Sequence, residues 1–244
     1  MNAVEFQGVS KSYAIYDAPG DRFKELLSLN RLKRHRDFWA LHEASFEVQR
    51  GETFCIVGEN GSGKSTMLQM VAGILQPTLG TVAVNGRVSA LLELGAGFNP
   101  EFSARTNIEI NGMLIGLTRR QVAERFEAIL EFAGLERFVD QQLKNYSSGM
   151  LLRLAYSVAI QVPFDILLVD EALAVGDAEF QQKCLETFEQ MRAEGKTVVL
   201  VSHDLGAIDS LCDRALLLRH GTIEAIGEPA KVIDYYEAHA AVAV

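Results

Sequence analysis

The sequence predicts an α/β fold with a helical subdomain inserted into it, and three observations carry that prediction. The apolar run Phe54, Cys55, Ile56, Val57 enters Gly58-Glu59-Asn60-Gly61-Ser62-Gly63-Lys64-Ser65-Thr66 and is followed by Met67 to Leu75, which reads as strand, glycine-rich loop and helix. Short apolar runs recur at Leu167 to Val169 and Thr197 to Val201, each short enough for a buried strand. Between these two regions, from about Phe102 to Val162, the pattern changes to a helical one.

Composition narrows the classes. The chain has 244 residues, 48% of them hydrophobic, which suits one large domain or a domain with a subdomain. Its net charge of −9, from 23 Lys+Arg against 32 Asp+Glu, argues against a general nucleic-acid binder. Cys55, Cys184 and Cys212 are widely spaced in apolar surroundings and form no metal-ligand or disulfide pattern, so they read as buried thiols of a reducing compartment. No apolar run approaches the roughly 20 residues that span a bilayer, and no signal-peptide pattern opens the chain. The expectation is a cytoplasmic protein whose membrane role, if any, runs through a partner.

Taken in order, Ala3 to Val9 reads as a strand with Tyr13 at the turn after it, where its ring either stacks on a purine or is an ordinary half-buried tyrosine. Residues 15–39 form an insertion in which Phe23, Leu26, Leu27 and Asn30 share a helix face. Arg22, Lys24, Arg31, Lys33, Arg34 and Arg36 make it locally basic. Two readings stand: contact with anionic headgroups or a membrane partner's rim, and a solvated charged helix. Ala40 to Val48 and Glu52 to Val57 read as strands, and the helix after the glycine-rich loop is expected to stop near Gln76-Pro77. Thr81 to Val84, Asn85-Gly86 and Arg87 to Glu93 read as a hairpin. Thr118 and Gln121 have capping-box spacing before Val122, Phe126, Ile129 and Leu130, with Gly134 at the C-cap. Arg214 to Gly227 reads as a hairpin around His220-Gly221, and a helix begins at Pro229.

The glycine-rich loop carries the strongest chemical signal. Its glycines let backbone N–H groups curl round phosphate oxygens, the helix start adds a positive dipole end, Lys64 is spaced to reach the β- and γ-phosphates, and Ser65 to ligate Mg²⁺. Other segments are ambiguous alone. Tyr146-Ser147-Ser148-Gly149-Met150 opens a helix and offers a second phosphate a hydroxyl and free N–H groups, but Ser-Gly also caps helices that bind nothing. Asp170-Glu171 ends a strand, where Asp170 can hold Mg²⁺ and Glu171 can orient or deprotonate water; strands ending in acids are also commonplace. His203 follows another strand, either within reach of a γ-phosphate or as a structural histidine.

Order and spacing resolve these together. Tyr13, Gly58 to Ser65, Tyr146 to Met150, Asp170-Glu171, Val175-Gly176-Asp177 and His203 follow the sequence of motifs in the ATP-binding-cassette superfamily, which the chain resembles from end to end. The resemblance implies a P-loop ATPase core with an antiparallel β subdomain, together 1–101 and 163–227, a helical subdomain at about 102–162 and a C-terminal helix at about 229–240. It implies that Tyr13 stacks on adenine, that Ser147, Ser148 and Gly149 are the signature motif, that Asp177 links sites across a dimer, and that His203 is the switch histidine. In that superfamily two copies face head to tail, each ATP lying between Lys64 and Ser65 of one and Ser147 and Gly149 of the other. A homodimer using ATP and Mg²⁺ is therefore expected.

The forms Tyr-Ser-Ser-Gly-Met, Glu-Leu-Gly-Ala-Gly-Phe at 93–98, Asp-Glu-Ala-Leu-Ala-Val-Gly-Asp at 170–177 and the insertion before Trp39 resemble the ATPase subunits that export O-antigen, capsular polysaccharide or teichoic acid. That resemblance implies a separately encoded integral-membrane permease, lipid-linked polysaccharide as cargo, and a peripheral position on the cytoplasmic face of the membrane. The expectation includes no transmembrane domain and no C-terminal carbohydrate-binding domain. An ATPase subunit for another substrate, in an importer or a lipid or teichoic acid exporter, is the alternative. Two departures stand out: Leu94 occupies the usual place of a Mg²⁺-binding glutamine, with Glu93 beside it as a substitute ligand, and Ser148 stands where glycine is commoner.

Overall fold

A computed structural model describes residues 1–18, 20–27, 33–91, 95–170, 176–202 and 204–240. Two sheets are stacked with a buried layer between them. Strands β1 (Asn2–Tyr16) and β2 (His35–Gln49) form a long antiparallel ribbon, with helix α1 (Asp21–Leu27) in the segment that joins them. The second sheet is built on β3 (Thr53–Val57), which leads through the glycine-rich loop into α2 (Lys64–Val71). Then come β4 (Leu79–Val84), β5 (Val88–Leu91), the helices α3 (Ala104–Leu114), α4 (Arg119–Ala133) and α5 (Ser148–Ala159), and β6 (Ile166–Asp170). The chain continues through α6 (Ala178–Ala193), β7 (Thr197–Val201), α7 (Leu205–Leu211), β8 (Arg214–Arg219), β9 (Thr222–Gly227) and α8 (Pro229–Ala240).

The ribbon with β4 makes a three-stranded sheet in the order β2-β1-β4. The second sheet runs β5-β6-β7-β3-β8-β9, parallel except for β9, which returns antiparallel to β8. Its central strands carry near-continuous apolar runs because both faces are covered. Phe54, Ile56, Ile166, Leu168, Val199, Val201, Leu216 and Leu218 pack toward the antiparallel sheet and α2. Cys55, Val57, Leu167, Val169, Val198, Leu200, Ala215 and Leu217 pack toward Phe180, Phe188 and Val232 on the other side. A third cluster, from Ile108 through Ile129 to Leu154, holds α3, α4 and α5 together as the predicted helical subdomain. The capping box forms as expected, Thr118 Oγ1 accepting from Gln121 N and Thr118 N donating to Gln121 Oε1, and Gly134 ends α4 in the left-handed region.

Four expectations are corrected. Thr81 to Val84 and Arg87 to Glu93 are not a hairpin: β4 pairs with β1, Val84 opposite Val4, while β5 pairs with β6, Val88 opposite Ile166. The Asn85-Gly86 turn instead carries the chain from one sheet to the other, tied by Asn85 N to Ala3 O and Arg87 N to Asp165 Oδ2. Tyr13 lies within β1, directly opposite Phe38, and is not at a turn. The helix after the glycine-rich loop ends at Val71, short of Gln76-Pro77, as the chain turns through Ala72 and Gly73. The insertion is only partly helical, since residues 15–16 and 35–39 are strand and the described helix is Asp21–Leu27; Asn30 and Arg31 lie outside the described residues.

Four of the insertion's basic residues have acidic neighbours. Lys24, Lys33, Arg34 and Arg36 each have an aspartate carboxylate within 3.8 Å, at Asp21, Asp37, Asp21 and Asp17. Glu25 is buried and bonds His35 Nδ1 at 2.7 Å and the Arg34 amide at 2.9 Å, contacts that hold its carboxyl below the usual range. Cys55 and Cys184 are buried as expected, whereas Cys212 is only half-buried. The contact with Cys212 and burial push the Cys55 thiol up, and burial pushes Cys184 to about 11.

Candidate functional site

The site sits where the parallel strands end. Ile56 of β3 is level with Val201 of β7, and Val201 with Asp170 of β6, so these strands leave the sheet at the edge where the glycine-rich loop begins. Crevices at the carboxyl ends of parallel strands are where open α/β sheets bind ligands. A cleft of about 440 Å³ opens there, lined by Tyr13, Phe38, Ala40, Asn60, Gly61, Gly63, Lys64, Ser65, Thr66 and Asp170.

The loop's shape demands its glycines. A Cβ on Gly58 would collide with the Leu218 carbonyl oxygen, and one on Gly63 would lie 2.6 Å from Ala40 O and 2.9 Å from Leu41 Cδ2. Gly63, at φ 110°, caps α2 with no side-chain bond, leaving the first turn's N–H groups directed at the cleft. Lys64 is buried, and its Nζ donates to Gly58 O at 2.7 Å and Glu59 O at 2.9 Å, so the ammonium spans the loop's opening. Ser62 Oγ is buried and, among the described residues, has no hydrogen-bond partner. An orphaned hydroxyl in a loop of converging N–H groups fits an oxyanion ligand. Asp170 and Ser65 line the same cleft, a carboxylate and a hydroxyl of the kind a small hard cation prefers.

Part of the lining is apolar. Tyr13 and Phe38 are cross-strand partners on the ribbon, 38% and 51% exposed, and Ala40 follows on the same face of β2. Phe38 is absent from the sequence reading. The signal for it was pairing: a strand through Tyr13 would have brought the opposite strand's aromatic beside it.

The remaining candidates divide into two groups. Ser147, Ser148, Gly149 and Asp177 are described but do not line the cleft. Ser147 and Ser148 are exposed, and Ser147 caps α5 by accepting from Met150 N at 3.2 Å. Asp177 caps α6, accepting from Phe180 N at 3.0 Å, and lies 3.7 Å from Arg153 Nη1. Glu93, Glu171 and His203 lie outside the described residues, although Asp170 and Ser202, which precede two of them, are placed at the cleft's strand ends.

Comparison with known proteins gives three results. The family described as ABC transporter matches residues 41–174. Among curated proteins, the ABC transporter protein AbcA of Aeromonas salmonicida is 48% identical over 94% of this chain and 74% of its own. The O-antigen export system ATP-binding protein RfbB of Klebsiella pneumoniae is 41% identical over 96% of this chain and 97% of its own. Among solved structures, a dimeric ATP-binding cassette in a post-hydrolysis state bound to ADP and phosphate superposes with a TM-score of 0.74, covering 93% of this chain and 98% of its own at 22% identity, a likeness of fold.

Proposed function

Because the chain belongs to the ABC transporter family, we propose that it is the ATP-hydrolysing subunit of a transporter exporting lipid-linked O-antigen or a related polysaccharide. The observation that carries the ATPase reading is the single cleft that gathers Lys64, Ser65, the start of α2 and Asp170. Export of a polysaccharide is supported by the end-to-end similarity to an O-antigen export subunit of nearly the same length.

In this reading Tyr13 receives the base, and the loop from Gly58 to Gly63 cradles the phosphates. The Lys64 ammonium exchanges its carbonyl partners for phosphate oxygens, a shift from neutral to charged acceptors that strengthens each bond. Ser65 and Asp170 would hold Mg²⁺, which would supply positive charge against the phosphates. Glu171 takes a proton from the attacking water, and His203 touches the γ-phosphate. Glu93 is a further metal ligand in the same scheme.

The cleft is only half a site. Ser147, Ser148 and Gly149 present a capped helix start to solvent, away from their own chain's loop. A second copy, head to tail, brings them onto the γ-phosphate, with Asp177 at the contact between copies. ATP then favours the closed pair because intact γ-phosphate touches both halves, and hydrolysis removes that differential contact. The motion passes to an integral-membrane permease encoded as a separate chain, which holds this subunit on the cytoplasmic face of the membrane. Among the described residues, no helix is long and apolar enough to cross a membrane.

Replacing the chain in its source cell by the Glu171→Gln form tests the cargo. The expected result is lipid-linked glycan accumulating on the cytoplasmic side with loss of glycan at the surface. Normal surface glycan would remove the export assignment and leave the alternative, a transporter for another substrate.

A further inference from the structure

We propose that Phe38 is a second base-binding residue, forming with Tyr13 a two-ring platform under the purine of the bound nucleotide. This deepens the reading of the cleft as a nucleotide site and rests on it. The nearest feature of the sequence, the aromatic pair Phe38-Trp39, is split between two faces by the strand. Phe38 and Ala40 turn to the glycine-rich loop, while Trp39 borders a separate cavity with Ser10, His42 and Glu43.

The cleft's lining is of two chemical kinds. Asn60, Lys64, Ser65, Thr66 and Asp170 are polar and account for phosphates and a cation, whereas Tyr13, Phe38 and Ala40 supply its apolar surface. Directly opposed strand residues have Cβ atoms about 4.5–5.5 Å apart on one face, so the Tyr13 and Phe38 side chains leave the ribbon next to each other, and both line the cleft. One phenol ring covers a six-membered ring; a fused purine with its ribose extends beyond it, over the position Phe38 holds. Lys11 Nζ sits over the Tyr13 ring, 5.3 Å from its centroid, while donating to Gln76 O at 2.9 Å. With Phe38 51% exposed, the apolar surface is there to be covered by a flat apolar group.

The test separates the base from the phosphates by measuring equilibrium binding of MgADP and of magnesium pyrophosphate to the full chain. Base–aromatic stacking is sequence-tolerant and strong enough that Phe38→Ala should weaken MgADP roughly five- to tenfold. Pyrophosphate affinity should not change, and Phe38→Tyr should restore MgADP binding. Unchanged MgADP affinity in Phe38→Ala would overturn the proposal. Equal weakening of both ligands would also overturn it, assigning Phe38 a structural role in the ribbon. Failure of the parent chain to bind either ligand would instead sink the nucleotide-site reading.

Discussion

Glu171→Gln is expected to lower steady-state ATP turnover by about 10²–10⁴-fold, the range that a positioned general base supplies. The substitution keeps shape and removes only the ability to take a proton. ATP affinity should stay within about twofold of the parent, as expected when an interaction is confined to the transition state. Asp170, the residue before it, closes β6 at the cleft and lies level with Val201. Phosphate release under saturating ATP, set beside equilibrium binding, checks both halves. Turnover equal to the parent's would take the base role from Glu171 and point to a water held by other groups.

The second large effect is expected at Lys64. Truncation to alanine removes the one ammonium that the loop holds buried at its mouth, and exposes the Gly58 and Glu59 carbonyls to incoming phosphate. Both changes oppose an anion. Turnover should fall by about 10²–10³-fold, comparable to removing one donor that stabilises developing charge, and ATP affinity should fall with it. A Lys64→Ala chain that kept parental affinity would mean that backbone N–H groups alone carry phosphate binding. Stability should change little: the lysine's bonds are local to the loop, and α2 is held through Met67, Leu68, Met70 and Val71 in the core.

How far the sequence could be read followed from the range of the forces involved. The path from Thr53 to Val71 was legible because its pattern lies in one stretch, a strand apolar on both faces, a glycine-rich loop and a helix whose apolar residues face the core, even though the Leu218 and Ala40 carbonyls that require Gly58 and Gly63 lie outside it. The capping box at Thr118 and the turn at His220-Gly221 are local in the same way. Asn85-Gly86 misled because a two-residue turn with this composition is the strongest short-range hairpin signal, yet each flanking strand had a better partner elsewhere. Val82 and Val84 pack under the ribbon beside β1, and β5 pairs with a strand 78 residues on, so long-range burial outweighed the turn. Phe38 was hidden for the same reason, since its neighbour Tyr13 lies 25 residues away across an insertion. The signature role of Ser147, Ser148 and Gly149 rests on resemblance, because within one chain they do not line the cleft with Lys64.

A second copy is expected to close this separation, and the mass of the Glu171→Gln chain in solution, measured with and without ATP, tests it directly. A chain of 26.9 kDa should double in mass on adding ATP and not on adding ADP, and Ser147→Arg should block the doubling without abolishing ATP binding to the single chain. A mass that stays at one chain while ATP is bound at saturation would contradict the shared site.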